Sequence, residues 1–133
     1  MTTQEKFEYW LELALYDFDT AKAMLESNRW LYVIFMCQQA IEKLVKGLYV
    51  LYVDDNVPRS HNVRFLVEKI ESQMTEPVSD KHFDLFDELS LHYISGRYVD
   101  YKHKLSEKLN KQAAIDIYEQ TKEALAWLLT LKP

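Results

Sequence analysis

The sequence predicts an all-α protein, an up-and-down antiparallel bundle of about five helices with a shorter helix in the middle. The 133-residue chain contains only two glycines and three prolines, and both residue types mark turns and loops. Long segments place apolar residues at spacings of three and four, which is the period of an amphipathic helix. Short breaks separate these segments and favour antiparallel neighbours. At this length we expect a single domain over residues 1–133.

The first two predicted helices are the longest. The first covers about residues 3–27, and its apolar stripe consists of Phe7, Leu11, Ala14, Phe18, Ala21 and Leu25. Thr2 and Glu5 have the spacing of a capping box at its start. The second covers about residues 30–53 and is apolar on nearly all sides, which is typical of a central buried helix. Because only Asn28 and Arg29 link the two helices, these should lie antiparallel.

Three further helices complete the predicted bundle. Ser60 is the expected N-cap of a shorter helix over about residues 61–73. Ser79 is the expected N-cap of a fourth helix over about residues 80–94, and the last helix covers about residues 111–131. The stretch before the last helix, rich in Tyr, Lys, His and Asp, has no clean helical stripe.

The charge balance limits the choice of partners. A net charge of −5 gives no overall positive field, so non-specific attraction to nucleic acid is not expected. A local basic patch is still compatible with this balance, and Arg97 with Lys102, His103 and Lys104 is the best candidate.

The remaining composition excludes several classes of protein. A single cysteine, Cys37, allows no internal disulfide and leaves no zinc-ligand set, so we expect neither a metal nor a cofactor. The first residues have no secretory-signal pattern, and no apolar run is long enough to span a membrane. The sequence therefore predicts a cytoplasmic protein without a membrane partner.

A polar stripe interrupts the apolar second helix. Gln39, Glu42, Lys43 and Lys46 recur at spacings of three and four, so they share one helix face. Burying uncompensated charge is costly, so this face should meet water, a partner chain or a ligand. Glu42 and Lys46 are also correctly spaced for an ion pair within the helix. Gly47 in mid-helix indicates that another helix approaches closely there.

Five residues separate Arg97 from His103 in the stretch before the last helix, so the two positions are six apart. On one regular helix a step of six residues turns about 600°, which separates the two side chains around the axis. They converge only if the segment is not regular helix, or if a second copy of the chain supplies the complementary residue. The alternative is that Arg97 pairs with a surface carboxylate and His103 is solvated.

Three stretches together resemble the HEPN family, the higher eukaryote and prokaryote nucleotide-binding domains. They are QQAIEKLVK at residues 38–46, SHNV at residues 60–63 and the pair RY at residues 97–98. The resemblance covers nearly the whole chain. Three positions depart from the family's pattern, namely Asn62, Val99 and Leu105, which stand where the family has Asp, Pro and, in some toxins, a modified Tyr.

The resemblance implies a small helical bundle that acts as a homodimer. Many HEPN proteins are toxins that cut RNA without a metal through an Arg-x4–6-His motif, paired with a small nucleotidyltransferase antitoxin. Arg97 and His103 fall on that motif, as phosphate clamp and proton-transfer residue. The residues implied to contact RNA or a nucleotide are Gln39, Glu42, Lys43, Lys46, Tyr98, Lys102 and Lys104.

Two other functions stay open. Other HEPN proteins are non-catalytic modules that bind a nucleotide or support a partner nucleotidyltransferase, and Tyr98 directly after Arg97 favours that branch. A structural bundle that serves oligomerisation is the third interpretation. Dimerisation is expected in each case, because the tyrosine-rich stretch over residues 93–101 is too apolar to be left wholly exposed.

Overall fold

Five helices make up the described part of the chain. The computed structural model describes residues 1–95 and 109–133, apart from the side chains of residues 94 and 95. The helices are α1 (Thr3–Glu26), α2 (Trp30–Tyr52), α3 (Val63–Glu71), α4 (Asp80–Ser95) and α5 (Lys111–Leu129). Within these residues there is no strand. The predicted all-α bundle with a short third helix is confirmed.

The start of α1 is fixed by local hydrogen bonds, as its sequence predicts. The Thr2 hydroxyl accepts from the Glu5 N–H at 3.1 Å, and the Glu5 carboxylate accepts from the Thr2 N–H at 3.1 Å. The hydrogen bond from the Thr2 backbone N–H, and after it the Thr2 side chain, hold the pKa of the Glu5 carboxyl below its ordinary value. The turn into α2 places Asn28 in the left-handed region, with φ 62°, which asparagine tolerates better than most residues.

The helix at the centre of the bundle is α2. It packs against α1, α3, α4 and α5, which explains why its sequence is apolar on nearly all sides. Another helix approaches closely at Gly47, where an added Cβ would lie 3.0 Å from Trp10 Cβ and 3.2 Å from Phe7 Cδ2 of α1. The close approach of another helix at Gly47, which the sequence predicts, is therefore confirmed.

The third helix begins later than its sequence pattern suggests. Asn62, not Ser60, is the N-cap, and its side chain accepts from the Phe65 N–H at 3.1 Å. Ser60 instead accepts from the N–H of Asn62 at 3.1 Å, a turn that holds residues 60–62 outside the helix. The expected Ser60 cap is therefore wrong, and His61 lies in the loop that leads into α3.

The fourth helix starts where Ser79 predicts it. The Ser79 hydroxyl accepts from the His82 N–H at 3.2 Å, which satisfies one of the free donors at the helix start. A second contact joins α4 to α3, because the Ser90 hydroxyl accepts from the Val63 N–H at 3.1 Å. The end of α4 and the loop before α3 are thereby held side by side.

No helix among residues 1–95 and 109–133 has the length and apolar content needed to cross a membrane.

Candidate functional site

The polar stripe of α2 lies largely inside the protein. Glu42 is 3% exposed and the neighbouring Gln38 is fully buried. Gln39, Lys43 and Lys46 are half-buried. The stripe was expected to meet water, a partner chain or a ligand. Its polar groups are instead bonded mainly by side chains of the same protein.

Glu42 is the centre of these contacts. Its Oε2 receives the Lys46 ammonium at 2.9 Å, and its Oε1 lies 2.9 Å from Gln38 Nε2 and 3.0 Å from His61 Nδ1. A buried carboxylate is costly unless it is paired and hydrogen-bonded, and three polar groups meet this need. Together Gln38, Glu42, Lys46 and His61 form what we call the Glu42 cluster. The Glu42–Lys46 ion pair was one of the predicted alternatives, and it is formed.

His61 is held firmly although its side chain is 48% exposed. Its backbone carbonyl accepts from Gln38 Nε2 at 3.0 Å, while its ring is bonded to Glu42. The ring also lies against Tyr93 of α4, with centroids 5.2 Å apart. His61 does not cap α3, because Asn62 does.

A second charged contact joins α2 to α1. The Lys43 ammonium forms an ion pair with Asp17, a carboxylate that is only 8% exposed. Gln39 connects this region to the Glu42 cluster by donating to Gln38 Oε1 at 2.9 Å. Lys43 and Lys46 therefore each have a carboxylate partner, and neither is an uncompensated charge on the α2 face.

The remaining predicted site residues lie outside the described part of the chain. They are Arg97, Tyr98, Lys102, His103 and Lys104. The described helix that precedes them, α4, ends at Ser95, two residues before Arg97. Tyr93 near this end contacts His61, so the end of α4 lies beside the Glu42 cluster.

The sequence assigned no role in a site to three members of this polar region, namely Asp17, Gln38 and His61. Their contacts join residues that are 26, 23 and 19 positions apart. The one local signal was the apolar pattern of α2, which predicts burial, together with more polar side chains than residues of the same helix could hydrogen-bond. That signal indicates that partners exist but not which residues they are.

Two other kinds of reactive site are poorly supported. Burial raises the pKa of Cys37 to about 12, so its thiol is a poor nucleophile at neutral pH. Among the residues that the structure describes, no group of three His, Cys, Asp or Glu side chains could hold a metal ion. The Glu42 cluster is thus the polar constellation on which a function can be argued.

The comparisons with known proteins identify the family. The family model described as "HEPN domain" matches residues 7–131, so the chain belongs to the HEPN family. It is a HEPN module of the general kind whose roles concern nucleotides or RNA. The crystal structure of TT1696 from Thermus thermophilus is similar over 94% of this chain and 97% of that one, with a TM-score of 0.79 and 21% identity. At this identity the likeness shows a shared fold. No curated protein matched the sequence.

Proposed function

We propose that the protein is a metal-independent HEPN endoribonuclease, the toxin of a pair whose antitoxin is a small nucleotidyltransferase. In this proposal the chain acts as a homodimer, with His103 as proton-transfer residue and Arg97 as phosphate clamp. The observation that carries the proposal is the position of the Glu42 cluster. It places an exposed, oriented His61 next to the end of α4, from which the chain continues to Arg97.

The proposed chemistry needs few parts. RNA contains its own nucleophile, the 2′-hydroxyl, so the protein has only to move protons and stabilise charge on the phosphate. A histidine with its ordinary pKa of about 6.5 can take or give a proton at neutral pH. An arginine presents a planar, permanently charged fork to the phosphate oxygens. His103 and Arg97 supply these two roles.

The lysines differ in what they can contribute. Lys43 is paired with Asp17, and Lys46 with Glu42, so their net attraction for phosphate is reduced. We therefore assign backbone binding mainly to Lys102 and Lys104, and a lesser share to Lys43 and Lys46.

The second candidate function is a non-catalytic HEPN module that binds a nucleotide or supports a nucleotidyltransferase. The same neutralised lysines favour it, together with a net charge of −5. An acidic chain with compensated lysines attracts a long polyanion weakly. In this function Gln39 and Tyr98 would contact the nucleotide. Glu42, which is 3% exposed and bonded to three side chains, would only hold neighbouring groups in place.

The test is cleavage of structured and single-stranded RNA in EDTA by wild type, His103→Ala and Arg97→Ala. Arg29→Ala is the matched control, because Arg29 is an exposed arginine at the N-cap of α2 and lies outside the predicted motif. We expect cleavage that survives chelation, is lost in both motif variants and is retained in the control. No cleavage by a folded, dimeric wild type would overturn the proposal and leave the second candidate.

The dimer has its own test. Light scattering at micromolar concentration should give twice the mass of the 15.9 kDa chain. A monomer would argue strongly against a site composed from two copies.

A further inference from the structure

The Glu42–His61 contact has the geometry of an oriented base. We propose that His61 is a second proton-transfer residue, the general base that takes the proton of the RNA 2′-hydroxyl, and that Glu42 is its positioning residue. This inference rests on the proposed ribonuclease function. It adds a general base whose positioning residue belongs to the same protomer. None of the residues in it was predicted as catalytic from the sequence.

The partner of His61 fixes the tautomer of its ring. An ionised carboxylate has only acceptor sites, and Glu42 is paired with the Lys46 ammonium at 2.9 Å. The nitrogen that faces it, His61 Nδ1 at 3.0 Å, must therefore be the donor. In the neutral ring the second nitrogen, Nε2, then carries the lone pair. Among the described residues Nε2 has no hydrogen-bond partner, so it is available to an incoming hydroxyl.

Buried partners hold the His61 loop and ring in place. Gln38, which is fully buried, donates to the His61 carbonyl at 3.0 Å and to Glu42 at 2.9 Å. The ring of Tyr93 in α4 packs against the His61 ring, with centroids 5.2 Å apart. A histidine that is half exposed needs none of these contacts to be stable in water. A pre-organised reaction site requires that supporting residues hold the reactive side chain in one orientation through packing and hydrogen bonds.

The burial of Glu42 has an energetic cost. Its side chain is only 4% exposed, and a buried ion pair often stabilises a fold less than apolar residues of the same size would. Folding alone therefore gives little reason for a carboxylate at this position. Orientation of an exposed base and stabilisation of its protonated form do give a reason, as in carboxylate–histidine pairs of known catalysts.

The reaction step balances without any further reagent. His61 Nε2 accepts the proton of the 2′-hydroxyl as the O2′–P bond forms and the P–O5′ bond breaks. The leaving 5′-oxygen takes a proton from His103, the acid of the proposed function. The products are a 2′,3′-cyclic phosphate and a 5′-hydroxyl. Within residues 1–95 and 109–133, the charged or titratable groups that face His61 are Glu42 of α2, with Lys46 behind it, and Tyr93 of α4, whose ring lies against that of His61.

The experiment compares the pH dependence of kcat/KM for wild type, His61→Gln and Arg59→Gln. Arg59 is an exposed residue of the same loop and serves as the matched control. A lost general base lowers the rate by about 100-fold or more and removes the rise of the rate with pH on the acid side. We expect both effects in His61→Gln and neither in Arg59→Gln.

A measurement without RNA tests the role of Glu42. In ¹⁵N-histidine NMR of the protein with neutral imidazole rings, His61 should be in the Nδ1–H tautomer. In Glu42→Gln the amide presents either an oxygen or a nitrogen to the ring, so the Nδ1–H fraction should fall. A wild-type ring mainly in the Nε2–H tautomer would overturn the assignment of Nε2 as the base.

The outcomes separate this inference from the function on which it rests. If wild type cuts RNA, His103→Ala does not, and His61→Gln keeps the wild-type pH profile, the base is not His61 while the ribonuclease stands. If wild type does not cut at all, the proposed function fails and the role of His61 fails with it. Loss of the acid-side rise in His61→Gln, with the Nδ1–H tautomer in wild type, supports the inference.

Discussion

Replacing Glu42 by alanine should destabilise the protein more than removal of any exposed glutamate. The change removes the acceptor of three polar groups in the Glu42 cluster. Gln38 keeps one acceptor, the His61 carbonyl at 3.0 Å. Lys46, whose side chain is 12% exposed, loses its carboxylate partner and is left as a largely buried charge.

The magnitude follows from the burial of these groups. Removal of one partner of a fully buried ion pair costs about 3–5 kcal/mol. Lys46 can still move its ammonium toward water, and His61 is 48% exposed, so the upper part of that range does not apply. We expect a loss of about 2–3 kcal/mol in the free energy of unfolding. For 133 residues, an unfolding entropy of about 2.1 cal/mol/K per residue converts this loss to about 7–11 °C in Tm.

The assay is urea unfolding followed by circular dichroism, with Glu12→Ala as control. Glu12 is an exposed residue of α1 with no described contact to another group, so its removal should change stability by less than about 0.5 kcal/mol. Glu42→Gln keeps the shape and one acceptor and should fall between wild type and Glu42→Ala. A loss in Glu42→Ala no larger than in the control would refute the description of Glu42 as a buried centre of the cluster.

Three further predictions concern other parts of the fold. Gly47→Ala should cost about 1 kcal/mol in urea unfolding, because contact with Trp10 Cβ at 3.0 Å outweighs the helix propensity that alanine gains; equal or higher stability would contradict the close packing. Cys37 should not react with a thiol reagent at pH 8 in the native state and should react fully once unfolded, since burial raises its pKa to about 12; fast native labelling would contradict this. The lowered pKa of Glu5 stabilises the fold above the carboxyl's unfolded pKa, and this contribution disappears as pH falls through its folded pKa. Glu5→Gln removes this titrating group, so it should flatten the acid side of the stability–pH curve, and an unchanged curve would count against the capping box.

Local features were predicted well because their causes lie within a few residues. The capping box of Thr2 and Glu5 and the Ser79 cap depend on spacings of three, which the sequence displays directly. The third helix was placed less well. Both Ser60 and Asn62 are suitable caps, and the choice between them depends on how the following helix packs. Val63, the first residue of that helix, donates its N–H to the Ser90 hydroxyl of α4.

The candidate site was predicted in part. The polar stripe on α2 pointed to Glu42 and Lys46, and their ion pair is present. The roles of His61 and Gln38 could not be predicted, because they depend on how the loop before α3 lies across α2. A single sequence contains no distance information across such separations. Arg97 and His103 lie outside the described residues, so their part in the site stays a prediction.

The most direct test of the central claim is the chemical identity of the RNA ends produced in EDTA. The account predicts that wild type leaves 2′,3′-cyclic phosphate and 5′-hydroxyl ends, and that His103→Ala leaves the RNA intact. Ends with a 3′-hydroxyl and a 5′-phosphate, or cleavage that stops when metal is removed, would contradict it. Intact RNA with a folded, dimeric wild type would contradict it as well.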